Sequence, residues 1–198
     1  QCRHFSLVDL DACCDLTDTL HDIDVVVHVA ARAHVMNEKF TNQLSRYRDI
    51  NTLATLNLAE QAARAGVKRF IFISTIKVLG NQTMGGRRFT SEDRLNPQDP
   101  YSISKAEAEI GLKKIMEKLD MEVVIIRPPL VYGQGVKGNF ASLLKLTSLS
   151  VPLPFGAIEN RRSLVSIENL VDLICTCLDH PNAKNQTFLV SDDHDLST

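Results

Sequence analysis

Arg69-Phe70-Ile71-Phe72-Ile73-Ser74-Thr75 joins four consecutive apolar residues to a pair of hydroxyls. The run is too short for a helix and has no polar alternation, so it reads as a β-strand buried on both faces, the kind found inside a parallel sheet. Ser74 and Thr75 then fall at its C-terminal tip, where open parallel sheets bind their ligands. Twenty-six residues after Thr75 comes Tyr101-Ser102-Ile103-Ser104-Lys105. A Tyr and a Lys four apart on a helix share one face. An ammonium beside a phenol favours the phenolate, which exchanges a proton with an alcohol or sugar oxygen.

The surroundings repeat the pattern. Val25-Val26-Val27-His28-Val29-Ala30 is a β-branched run suited to a second buried strand, with the small residues Ala30, Ala31 and Ala33 at its exit. Ser45 to Ala65 reads as a long helix closed by Gly66, with one apolar stripe through Tyr47, Ile50, Ala54 and Leu58 and another through Leu56, Ala59 and Ala63. Gly80 to Gln98 is a polar excursion loop. Pro100 opens a helix running to about Leu119, and Met121 to Ile126 is a strand stopped by Pro128-Pro129. Further strands are predicted at Phe5–Val8 and Gln186–Val190, a short polar helix or turn at Asp15–His21, a short helix from about Asn139, and a longer helix over Ile167–Leu178. Strands alternating with helices predict an α/β fold with a doubly wound, Rossmann-like parallel sheet.

The 198 residues suit one domain, or one domain with a small appended lobe. With 44% hydrophobic residues a sizeable core is available, and a net charge of −2 gives no basic field for nucleic acid or an anionic membrane. No apolar run reaches the roughly 18–20 residues that span a bilayer. Five cysteines, with no C-x-x-C pair, an odd count and no secretory h-region in these residues, read as reduced cytosolic thiols; Cys175 and Cys177 are expected in the core.

Gly133-Gln134-Gly135-Val136-Lys137-Gly138 matches G-x-G-x-x-G, but prolines interrupt the strand before it and no acidic residue follows at the required strand end, so it reads as a glycine-permitted loop near a ligand. The dinucleotide fingerprint should open such a fold. Here the sequence begins near what looks like the third strand, and a piece on the order of 50 residues is expected ahead of it.

Taken together these segments resemble the extended short-chain dehydrogenase/reductase family, in particular its nucleotide-sugar epimerases, reductases and dehydratases. Asp9-Leu10 resembles the family's acidic pair at the adenine. Val27-His28-Val29-Ala30-Ala31 resembles the segment lying along the cofactor, and Asn51 the helix Asn near the nicotinamide. Phe72 to Gly80 resembles the "SS/T…VYG" segment, with Thr75 at the catalytic hydroxyl. Arg127-Pro128-Pro129-Leu130-Val131-Tyr132-Gly133 resembles "RPxxVYG". In the lobe, Asn139 resembles the Asn at the diphosphate, Leu153-Pro154-Phe155-Gly156 the segment on the nucleotide base, and Arg162 the Arg that binds the diphosphate, a task suited to its planar fork.

The resemblance implies NAD (with NADP not excluded), a UDP-sugar substrate, a place in polysaccharide biosynthesis, a cytoplasmic location and a homodimer through two helices per subunit. It implies a catalytic set of Thr75, Tyr101 and Lys105. Cofactor contacts are implied at Asp9, Leu10, Val29, Ala30, Ala31, Ala33, Asn51, Ser74, Tyr101, Lys105, Arg127, Pro128 and Pro129. Substrate contacts are implied at Thr75, Lys77, Asn139, Leu153, Phe155 and Arg162, and no metal is expected. Residues 1–132 and 167–191 would form the partial dinucleotide-binding domain, and 133–166 with 192–198 part of the sugar-nucleotide lobe. Ile76 and Lys77 stand where dehydratases carry an Asp-Glu pair, which argues against elimination of water. Leu79 replaces the usual Tyr of VYG. Three functions stay open at this point: C4 epimerase of a UDP-hexose or UDP-N-acetylhexosamine, 4-keto reductase of a UDP-deoxysugar, and non-catalytic nucleotide-binding module.

Overall fold

The computed structural model describes residues 11–33, 40–135 and 160–197. The predicted strand at Phe5–Val8, the helix from Asn139, and Asp9, Leu10, His34, Asn139, Leu153 and Phe155 lie outside the described residues.

Four strands form a parallel sheet in the order β1 (Val25–His28), β2 (Arg69–Ile73), β3 (Glu122–Arg127) and β6 (Thr187–Leu189). Ile71 lies level with Val27 on one side and Val124 on the other, so β2 is the interior strand its sequence predicts. Successive side chains point to opposite faces. Phe70, Phe72, Val123 and Ile125 pack on one face against Leu16 and Leu20 near α1 (Thr17–Leu20), Ala59 and Ala62 of α3 (Thr55–Arg64), and Leu112 and Ile115 of α4 (Pro100–Lys118). Ile71, Val124 and Ile126 face the other way, onto Leu170 and Cys177 of α5 (Ile167–Cys177). Helices therefore cover both faces, the doubly wound arrangement.

The long helix predicted from Ser45 is a compound of α2 (Phe40–Tyr47), a π-helical segment (Arg48–Ala54) and α3. The π segment adds a residue to the turn and carries Asn51 inward, fully buried. Gly66, at φ +86°, ends α3 in the left-handed region. At Gly111 the helices α3 and α4 approach so closely that a Cβ would lie 2.5 Å from Leu56 Cδ2.

Two differences from the sequence reading have local causes. Leu130–Tyr132 (β4) and Leu164–Ser166 (β5) form a second, two-stranded parallel sheet, three residues long and too short to register as a period. Cys177 is buried as expected, but Cys175 is exposed, because α5 turns residue 175 away from the sheet along with Ile167 and Val171.

Candidate active site

The C-terminal tip of β2 is held from three sides. The Ser74 amide donates to the Ile126 carbonyl at 2.7 Å, and the Ile76 amide to the Pro128 carbonyl at 2.9 Å. Thr75 opens a short 3₁₀ turn, Ile76–Leu79, its Oγ1 accepting the Lys77 amide at 3.3 Å.

Helix α4 begins with a reciprocal cap. Asp99 accepts the Ser102 amide at 2.9 Å, the Ser102 hydroxyl lies 3.1 Å from the Asp99 amide, and Pro100 follows at the first turn. This end carries Tyr101 and Lys105. Lys105 is 1% exposed; its Nζ donates to the Ile73 carbonyl at 2.8 Å and sits 4.4 Å above the Phe72 ring. Lys77, on the turn after Thr75, pairs with Asp99 at 3.2 Å. The Lys105–Ile73 contact lies just before Thr75, and the Lys77–Asp99 contact spans Thr75 and Tyr101 on the other side. Thr75 and Tyr101 are thereby bracketed together at the sheet's C-terminal edge.

The electrostatics differ from the sequence reading. Burial pushes the Tyr101 phenol up to about 12, aided by the nearby Asp99 charge and Tyr47. Burial also lowers Lys105 to about 8, partly opposed by Glu109. In this arrangement the ammonium donates to the Ile73 carbonyl. Tyr101 packs edge-on to Tyr47, ring centres 6.0 Å apart at 67°. Among the described residues its hydroxyl has no hydrogen-bond partner.

At the exit of β1, Val29, Ala30, Ala31 and Ala33 are exposed. Small side chains there leave the backbone open to a flat, extended ligand. Asn51 fixes this exit: its Oδ1 accepts the Arg32 amide at 2.8 Å, and its Nδ2 donates to the Arg32 carbonyl at 3.1 Å and to Ser104 Oγ at 3.0 Å. His28 is a core residue, 2.9 Å from Thr55 Oγ1 and stacked on Phe72; burial lowers it to about 4, so it is neutral at pH 7.

Other named residues fall elsewhere. Arg127 is 2% exposed, its guanidinium held by Glu109 and the Ser91 carbonyl. Ser74 is buried with its hydroxyl on Glu109. Pro128 is buried and Pro129 half-buried. Arg162 is exposed and joined through its backbone to Leu196, next to a polar cavity of about 380 Å³ lined by Arg88, Asn160, Arg161, Asp193 and His194. The sequence reading missed Glu109, Asp99 and Ser104. A Glu four residues after Lys105, among Ala106, Ala108 and Leu112, was the available signal for the first.

A model of the NAD dependent epimerase/dehydratase family matches residues 2–191, and the chain belongs to that family. UDP-glucose 4-epimerase of Vibrio cholerae is 57% identical over 195 residues, covering 98% of this chain and 60% of that protein. N-acetyl-alpha-D-glucosaminyl-diphospho-ditrans,octacis-undecaprenol 4-epimerase of Escherichia coli O157:H7 is 29% identical over 187 residues, 92% of this chain and 54% of that protein. The structure of UDP-glucuronic acid 4-epimerase from Bacillus cereus with UDP-glucuronic acid and NAD superposes with a TM-score of 0.80 at 25% identity, over 93% of this chain and 59% of that one. The chain thus spans 60% or less of the length of these relatives.

Proposed function

We propose that the protein carrying this chain is an NAD-dependent epimerase acting at C4 of a UDP-hexose or UDP-N-acetylhexosamine. The observation that carries the proposal is the bracketed trio of Thr75, Tyr101 and Lys105 at a parallel sheet's C-terminal edge, with a phenol hydroxyl that has no hydrogen-bond partner among the described residues. The 57% identity to the Vibrio cholerae 4-epimerase supports the same reaction.

The residues present fit the nicotinamide half of the cofactor. The open exit at Val29, Ala30, Ala31 and Ala33, fixed by Asn51, offers a surface for a flat dinucleotide beside Lys105 and Tyr101. NAD, when bound, supplies the acceptor and later the donor of hydride. Tyr101 takes the proton of the C4 hydroxyl and returns it after the sugar has presented its other face. Thr75 hydrogen-bonds the same oxygen. Lys105 is the cation that α4 supplies to favour the phenolate. Burial and the Asp99 charge raise the Tyr101 pKa in the arrangement described, so a cation beside the phenol is needed to offset them.

In the same reading, Asp9 and Leu10 meet the adenine, Asn139 and Arg162 hold the diphosphate, and Leu153 and Phe155 pack on the base. Residues 133–166 with 192–198 belong to the sugar-nucleotide lobe. Remote anchoring of this kind orients the reacting carbon. The exposed apolar side chains of Leu53, at 48%, in the π-helical segment that leads into α3, and Ile110, at 45%, on α4 suit a homodimer through these two helices. The reading also gives the enzyme a cytoplasmic location and a place in polysaccharide biosynthesis.

The test is incubation of the complete protein with UDP-glucose and with UDP-N-acetylglucosamine, following the sugars by NMR. Interconversion of the C4 epimers without added reductant is expected. Consumption of NAD(P)H on a 4-keto sugar without interconversion would point to the reductase, and failure to retain NAD(H) to a binding module.

A further inference from the structure

One buried polar group beside the trio has no part in the chemistry above. Glu109 lies one turn beyond Lys105 on α4 and is 1% exposed. Its Oε1 accepts the Ser74 hydroxyl at 2.5 Å and Arg127 Nε at 3.1 Å; its Oε2 accepts a terminal Arg127 nitrogen at 2.7 Å. The other terminal nitrogen of Arg127 donates to the Ser91 carbonyl at 3.1 Å, tethering the loop between Gly80 and Asp99. A single carboxylate therefore joins the helix of Tyr101 and Lys105, the tip of β2 and the end of β3.

Stability alone is a poor reason for such a cluster. Apolar residues of similar volume commonly replace a buried ion pair without loss of stability. The position of the ties is more informative. Ser74 immediately precedes Thr75, Glu109 lies four residues after Lys105, and Arg127 immediately precedes Pro128, whose carbonyl holds Ile76. Each tie ends next to the trio or to the turn that carries Thr75.

We propose that Glu109 is a positioning residue: through Ser74 and Arg127 it holds the strand tip of Thr75 at a set distance from the helix of Tyr101, and it sets a carboxylate one helical turn from Lys105. This rests on the epimerase reading for its catalytic consequence, but not for its effect on Lys105. The groups facing Lys105 are Tyr101 and Glu109 on its own helix, the Ile73 carbonyl and Phe72 ring of β2, and His28 of β1; Arg127 of β3 acts through Glu109. Burial keeps His28 neutral at pH 7, so Glu109 supplies the one carboxylate in this set. Removing its charge leaves Arg127 uncompensated, which also disfavours the ammonium.

Two variants of the complete protein test the inference. Ser74→Ala removes a tie without stranding a charge. Its kcat is expected to fall about tenfold, with KM within about twofold and the melting temperature little changed, as for a small misplacement of reacting groups. A kcat within twofold of the parent would overturn the positioning role, whatever happens to the melting temperature. Glu109→Gln, or Glu109→Gln with Arg127→Gln should the single variant fail to fold, is read by the NMR titration of ¹³C-methylated Lys105. The lysine should lose its proton at lower pH than in the parent, and an unmoved titration would overturn the electrostatic role. If the parent shows no C4 interconversion, the epimerase reading fails, and the Lys105 titration alone decides this inference.

Discussion

The ammonium of Lys105 lies 2.8 Å from the carbonyl oxygen of Ile73, inside the protein and over the ring of Phe72. Helix α4 and the tip of β2 are thus joined by a charged group that burial weakens to about 8. The unfolded chain holds this proton up to about 10.5, so between pH 8 and 10 the unfolded state binds more protons and stability rises with pH. Lys105→Met should abolish that rise and lower kcat at least about a hundredfold. Denaturant unfolding at pH 7.5, 8.5 and 9.5 reads the first effect. A rise that survives in the variant would assign it to another group.

Asp99 caps α4 and raises the pKa of Tyr101 by its charge. Asp99→Asn keeps a good cap, since both residues serve equally there, while removing the charge. The limb of the kcat–pH profile that reports Tyr101 ionisation is expected to move to lower pH, with melting temperature nearly unchanged. An unmoved limb would show that Asp99 does not act on the phenol.

His28 is neutral in the core and held near pKa 4, against 6.5 when free. As pH falls below 6.5 the unfolded chain takes the proton first. The contribution is therefore fully present above pH 6.5 and lost by pH 4, amounting to about 3 kcal/mol. His28→Gln should flatten the acid side of the stability profile by an amount of that order. Equal acid sensitivity in both proteins would contradict the assignment.

Gly111→Ala would set a methyl 2.5 Å from Leu56 Cδ2. Overpacking of about 1–3 kcal/mol, eased as the end of Leu56 shifts and offset by the roughly 1 kcal/mol that Ala gains over Gly inside a helix, predicts a net loss of at most about 2 kcal/mol. Combining it with Leu56→Ala should recover part of that loss, because the two changes share one space. Thermal or denaturant unfolding of the single and double variants measures the coupling, and simple additivity would contradict the close approach.

The sheet was legible because it obeys a simple rule. Phe70–Ile73 and Val123–Ile126 are continuous apolar runs, and only strands covered on both faces need them, whereas the β-branched run at Val25–His28 forms its strand with Val27 exposed, because β1 ends the described sheet. Gly66 and Pro100 marked helix ends for equally local reasons. Tyr101, Lys105 and Thr75 were legible as a spacing on known elements. What stayed hidden depends on through-space contacts. Lys105 turning to Ile73, Lys77 turning to Asp99, and Glu109 gathering Ser74 and Arg127 involve partners 18 to 35 residues apart, which no periodicity records. The π-helical insertion at Asn51 was equally invisible, since its apolar stripes fit an ordinary helix.

The measurement that bears most directly on the account is the turnover of Tyr101→Phe in the complete protein, with UDP-glucose and UDP-N-acetylglucosamine as substrates. The ring and its packing against Tyr47 are kept; only the hydroxyl is lost. The account predicts that kcat falls at least about a hundredfold with the fold and NAD retention intact. Turnover above about a hundredth of the parent's would mean that some other group moves the proton.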